Sequence, residues 1–218
     1  TTVQEDFGAS TGFVGQPFLP DGVDHPFCPR CHRPLTLLMQ LVIDELPEEV
    51  RPIGSGLLQV FFCTSAPLTD NMECEVALAS WEPYSDAHVQ RLIQVDGRGG
   101  SSTEGAPYPS KRVTGWTAVE DCPNWEELGG LKVDVDDVGL DALMRAEIPA
   151  PGDKVGGWPL WVQGVEYPPC STCGSTMRYI AQIESSWNLP IQFGDGGNSQ
   201  LFQCPDHAEV LALTWACT

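Results

Sequence analysis

The sequence predicts an α+β fold, mainly antiparallel β, in which an internal duplication gives two similar lobes. Three observations carry that expectation. Apolar runs of strand length outnumber helical patterns, 22 Gly and 19 Pro supply many turns, and one arrangement of cysteine, proline and glutamine occurs twice in 218 residues. A chain of this length buries a substantial core as one large domain or as two lobes of about 100 residues.

The repeat aligns residue by residue. An offset of 142 carries Cys28 and Cys31 onto Cys170 and Cys173, Pro26 onto Pro168, Gln40 onto Gln182, Gly15 onto Gly157 and Pro17 onto Pro159. One residue is then lost in a loop, and an offset of 141 carries Gly56 onto Gly197, Gln59 onto Gln200, Phe61 onto Phe202 and Cys63 onto Cys204. Farther on, ALASW ending at Trp81 is set against LALTW ending at Trp215. The Gly-, Ser- and Pro-rich segment 96–111 separates the copies, which places the lobes at residues 1–105 and 106–218.

In chain order, apolar or alternating character predicts strands over 35–43, 57–64, 75–81, 111–119, 177–183, 200–204 and 210–215. Residues 85–96 read as either helix or strand. A short turn starts at Asn124, and the best helix pattern is DDVGLDALMRAEI, where Leu140, Leu143, Met144 and Ile148 share one face behind an acidic start.

Each copy supplies a CxxC pair, a third Cys about 31 residues later, and a Cys or His ahead of its last strand. Cys74 lies seven residues before Trp81, and His207 eight before Trp215. Structural zinc takes four tetrahedral thiolate or imidazole ligands, and a CxxC turn aims two sulfurs at one point. Two structural Zn2+ sites are therefore expected, one at Cys28, Cys31, Cys63 and Cys74, the other at Cys170, Cys173, Cys204 and His207. At the first site His25 and His32 are alternatives to Cys74 as fourth ligand. A redox pair fits less well, because that motif opens a helix, whereas strand-like LTLLMQL and TMRYIAQI follow here. The fold then becomes two zinc-clipped antiparallel sheets, expected to be related by a pseudo-two-fold. Cys122 and Cys217 fall outside the repeat and read as buried small hydrophobes.

Charge narrows the partners. Thirty Asp and Glu against 11 Lys and Arg leave a net charge of -19, which repels phosphate backbones and anionic membranes and attracts a basic protein. No run approaches the ~18 apolar residues of a membrane span, and the opening TTVQEDFGAS lacks the basic-then-apolar pattern of a secretory signal. Nine cysteines without an export signal fit a reducing compartment, so the expected location is the cytoplasm.

Catalytic motifs are sparse. GxSxG and HExxH are absent, and a zinc with four protein ligands has no open position for substrate, so an enzyme is disfavoured. The alternative is an enzyme with its active site in a cleft between the lobes, where Asp195 or Asp206 would serve. Asp134, Asp136 and Gly139 have calcium-loop spacing, but the twelfth position is Arg145 where a bidentate Glu is needed. FGDGGNSQ and GDKVGGWP lack the Lys and following helix of a phosphate loop and read as turns. Trp158 and Trp161 in GGWPLWVQ are taken as lobe core.

Gly156-Gly157-Trp158-Pro159, Trp161, the pair Cys170 and Cys173, Ala181-Gln182-Ile183, Gly194-Asp195, Phe202 and Cys204 resemble the bacterial YwqG-like family, a domain of unknown function. The same elements are similar to the eukaryotic programmed cell death protein two family. That second resemblance implies a dedicated chaperone that shields a newly made ribosomal protein. This chain departs from it in lacking a MYND-type finger and in carrying a cysteine cluster in both halves. The expected function is a protein-binding module of the YwqG-like type, chaperone-like or immunity-type, stabilised by zinc.

Overall fold

Each half of the chain builds an antiparallel sheet around one strand that is buried almost throughout. The computed structural model describes residues 9–64, 74, 79–95, 98–145, 149–185 and 188–218, with backbone alone at 138, 140, 143 and 144. The chain divides into two compact units, one of Thr1–Leu46, Ile53–Ser80 and Tyr84–Gly115, the other of Pro47–Pro52, Trp81–Pro83 and Trp116–Thr218.

In the first unit, β1 (Gly12–Phe13), β3 (Thr36–Val42), β4 (Leu57–Phe62), β5 (His88–Ile93) and β7 (Lys111–Arg112) form a sheet in the order β5-β4-β3-β1-β7. A two-stranded ribbon pairs β2 (Phe18–Pro20) with β6 (Gly99–Ser101). In the second unit, β8 (Lys154–Val155), β9 (Arg178–Glu184), β10 (Asn198–Gln203) and β11 (Leu211–Ala216) are ordered β11-β10-β9-β8. The single α-helix among the described residues, α1, spans Asp137–Arg145, and Asp136 Oδ1 accepts from Gly139 N at its start.

The pairings recur at the offsets read from the sequence. Gly12 faces Gln40 as Lys154 faces Gln182, and Gln40 faces Gln59 as Gln182 faces Gln200. Both central ladders break register at one place, at Leu38 in β3 and Ile180 in β9. Extra residues at those points bend the strand, and each bulged carbonyl receives a backbone N–H, from Val14 and from Gly156.

Four buried glutamines explain how polar side chains survive in these sheets. Gln40 Oε1 accepts from Phe18 N at 3.0 Å while its Nε2 donates to Ser10 O at 2.9 Å. Gln182 makes the same two bonds 142 residues on, from Leu160 N at 2.8 Å and to Gly152 O at 3.0 Å. Their neighbours Gln59 and Gln200 donate Nε2 to Phe18 O and Leu160 O at 2.7 and 3.2 Å. Each incoming segment is thus held on both its N–H and its C=O by side-chain amides at the middle of the sheet. Phe61 and Phe202, fully buried, anchor the core beside the cysteines at the other end of each sheet.

Several expectations are corrected. The strand expected over 111–119 is only Lys111–Arg112, because residues 114–120 are exposed and have no sheet to lie on. Of the strand expected over 75–81, residues 75–78 lie outside the described residues, and 79–81 form a turn. The strand beside β4 is instead β5, in the segment 85–96 that read as helix or strand. Val89 faces Phe61 as Ala212 faces Phe202, so β5, and not the run ending at Trp81, corresponds to β11. The helix face expected from Leu140, Leu143, Met144 and Ile148 lies outside what is described.

Gln182→Leu removes the partners of Leu160 N and Gly152 O together. We expect a loss of about 2–4 kcal/mol in urea denaturation, from two newly orphaned backbone groups; a loss below about 1 kcal/mol contradicts this role.

Candidate metal centres

The turns that carry the CxxC pairs are built alike. Cys28 N donates to Arg33 O at 2.9 Å and Cys28 O accepts from His32 N at 2.9 Å, and Cys170 N and O do the same with Ser175 O at 2.8 Å and Gly174 N at 2.9 Å. The bridges Phe27–Pro34 and Pro169–Thr176 close the two turns. The third cysteines, Cys63 and Cys204, follow directly on β4 and β10, so strand pairing brings them to the turn.

Cys28, Cys31, Cys63 and Cys74 form one group and Cys170, Cys173, Cys204 and His207 another, each with its ligand atoms within 4.8 Å of one another. Cys28 Sγ is 3.7 Å from Cys74 Sγ, Cys31 Sγ is 3.8 Å from Cys63 Sγ, and Cys173 Sγ is 3.6 Å from Cys204 Sγ. His207 Nδ1 lies 3.5 Å from Cys204 Sγ and 4.0 Å from Cys170 Sγ. Sulfurs bound at ~2.3 Å to one tetrahedral ion stand about 3.8 Å apart, whereas a disulfide brings them to ~2.05 Å. Both clusters therefore have the size and donor chemistry to hold a metal ion such as zinc, and their sulfurs stand too far apart for a disulfide.

Electrostatics favour thiolate at two of the three cysteines of the second cluster. Burial raises the Cys170 thiol, but backbone N–H groups of Cys173 and Thr172 outweigh it and bring the thiol down to about 7. The Ser175 hydroxyl and backbone lower Cys173, while burial raises Cys204. Asp206 N donates to Cys204 Sγ at 3.4 Å, and Asp206 Oδ2 accepts from Ser175 Oγ at 3.3 Å, so this aspartate braces the cluster's loop.

Neither histidine proposed as an alternative enters the first cluster. His25 Nε2 lies 2.8 Å from Leu35 O and its ring packs edge-on to Phe61 at 5.5 Å, as the ring of Tyr167 packs on Phe202 at 5.8 Å. His32 is exposed and occupies the left-handed turn position, φ 57, that Gly174 fills in the other half. The strand alignment that points to Cys74 is overturned by the ladder, yet the Cys74 sulfur lies in the cluster. Cys122 and Cys217 are corrected too: Cys122 is exposed and Cys217 half-buried.

The second unit also holds two largely buried carboxylates that the sequence patterns do not mark. Glu127, 7 % exposed, accepts from Trp161 Nε1 at 2.6 Å and from Tyr167 Oη at 2.8 Å. It follows Asn124, whose Oδ1 accepts from Glu126 N at 3.0 Å and caps the 3-10 turn Trp125–Glu127. Trp161 is core as expected, but Trp158 is half-buried. Asp121 accepts from Trp158 N at 2.9 Å and Ala150 N at 2.7 Å, and pairs with Lys154 Nζ at 2.9 Å. A Cβ on Gly157, φ +73, would stand 2.3 Å from Asp121 Oδ2, so only glycine lets this carboxylate in.

A model of a domain of unknown function, DUF1963, matches residues 11–203. The chain belongs to this family. It is the family that the YwqG resemblance pointed to. The DUF1963 chain is also 36% identical over 85 residues to the uncharacterized protein YpfL of Salmonella typhimurium strain LT2. That match covers 37% of this chain and 19% of the relative. Among the described residues of the DUF1963 chain, no helix is long and apolar enough to cross a membrane.

Burial raises the Asp121 carboxyl, but hydrogen bonds from Trp158, Lys154 and Ala150 outweigh it and hold its pKa below the usual value. A lowered folded pKa gives stability that is present above the unfolded value and lost as pH falls through the folded one. Asp121→Asn should therefore be less stable than wild type at pH 7, with the gap closing below about pH 4. Denaturation midpoints that differ equally at pH 7 and in strong acid would contradict this.

Proposed function

We propose that this DUF1963 protein is a protein-binding module stabilised by two structural zinc ions, acting on a basic partner in a chaperone-like or immunity-type role. The observation that carries the structural role is the closed donor set, four Cys or His at each cluster, which leaves an ion no open position for chemistry. Function then has to be sought on the surface. Among the described residues, seven of the ten exposed large hydrophobics, Trp81, Trp116, Val119, Trp125, Leu131, Val133 and Val165, belong to the second unit, and exposed Glu120, Glu126 and Asp134 lie among them along the chain. Exposed tryptophan within an acidic surface suits binding of a basic protein, whose charge a net -19 would steer.

We also infer that the two halves are copies of one unit. The recurrence of the ladder register, the bulge, the glutamine bonds and the CxxC turn at one offset supports it. Independent strands of similar composition have no reason to share a bulge position.

Elemental analysis of protein purified without added metal should give close to two zinc ions per chain, and none would sink the zinc reading. Cys173→Ser should bring the content to about one and lower the melting temperature, since a structural site contributes on the order of 10 kcal/mol. For the partner, affinity purification of the tagged chain from its native cell should retain a basic protein whose binding weakens as salt rises. Recovery of no specific partner sinks the binding reading.

A further inference from the structure

We propose that the apolar pocket over Glu127 receives an arginine side chain from a basic protein segment, a proposal that rests on the basic-partner reading and gives it a place. The pocket encloses about 380 Å³, and Glu127, Leu131, Trp158, Val165, Tyr167 and Met177 contribute to its wall. That volume lies at the small end of ligand sites and suits one long side chain. Leu131 and Val165 are 44% and 43% exposed, so the pocket offers apolar surface to the outside while its carboxylate is almost fully buried.

Glu127 is the observation that selects the occupant. Both its oxygens accept from neutral donors, the Trp161 indole and the Tyr167 hydroxyl, and among the described residues no cation pairs with it. Burial and Glu127 both raise Tyr167, which keeps its hydroxyl proton and remains a donor. A buried carboxylate is costly until it is paired, and two oxygens offer about four acceptor positions, of which two are used. Guanidinium fits the remaining two as a planar fork, stacks on rings such as Trp158 and Tyr167, and carries an aliphatic stem for the Leu131, Val165 and Met177 wall. Lysine offers a point charge with no fork and a larger hydration loss, so arginine is the better match. Exposed Glu126 adjoins the pocket and adds to the attraction for a basic segment.

The test uses the full chain, with circular dichroism and a thermal melt on every variant to establish folding. Anisotropy would follow a fluorescein-labelled peptide Gly-Leu-Arg-Leu-Gly-Gly and its analogue with citrulline, which keeps the shape of arginine and removes the charge. We expect the arginine peptide to bind at least about tenfold more tightly, a difference of ~1.4 kcal/mol. Glu127→Gln should abolish that preference, and Leu131→Lys, at an exposed position, should weaken binding by placing the protein's own cation at the pocket. Glu126→Gln should keep most of it. Equal affinity for the two peptides, or an arginine preference untouched by Glu127→Gln and Leu131→Lys, overturns the proposal. So does N-acetylarginine amide binding as tightly as the peptide, which makes this a small-molecule site. Capture of one basic partner equally by wild type and Glu127→Gln removes the pocket and leaves the broader reading standing. Capture of none by either removes both.

Discussion

The amide of a glutamine at the centre of each sheet is the constraint on which both halves depend. Gln40 and Gln182 each close two backbone bonds to a segment that precedes them by more than 20 residues, at Phe18 and Leu160. Sheet pairing alone tolerates slippage where strands are uniformly apolar, and β3 is TLLMQLV. A shift by one residue would turn Gln40 to the other face and leave the Phe18 N–H, the Ser10 carbonyl and the glutamine itself without partners. The polar residue therefore specifies the register that the apolar ones stabilise.

Register in turn delivers the cysteines. Once Gln40 faces Gln59, the ladder sets Thr36 against Phe62, and Cys63 emerges beside the turn that holds Cys28 and Cys31. The same chain of consequence runs from Gln182 and Gln200 to Arg178 against Gln203, and so to Cys204. Core and cluster share residues, since Phe61 and Phe202 pack directly against the sulfur-bearing side chains.

Much of this was legible because it depends on spacing within continuous segments. The offset of 142, the strands around Gln40, Gln59, Gln182 and Gln200, and the grouping of the CxxC pairs with Cys63 and Cys204 all follow from local order along the chain. The third strand of the first half was not, since HVQRLI has neither a clean alternation nor an apolar run, and ALASW imitates the end of β11 more closely. Glu127 was hidden for a different reason. Its neighbours Trp161 and Tyr167 lie 34 and 40 residues away, and nothing in NWEEL distinguishes the buried glutamate from the exposed one before it. His25 misled because a ring packed edge-on to a core phenylalanine and a ring bound to metal look alike in a sequence.

The positive-φ turns set the halves apart. The second half places Gly156 and Gly174 at the left-handed positions before its glutamine-held segment and inside its cysteine turn. The first half puts Val14 and His32 there, at φ 48 and 57. An L-residue in that region costs about 1–2 kcal/mol, and a branched side chain such as Val14 fits it poorly. At these two matched positions the first half therefore carries backbone strain that the second avoids. The strained turns persist because their neighbours hold them: Val14 N donates to the bulged Leu38 carbonyl, and His32 N donates to the carbonyl of Cys28, a member of the cysteine cluster.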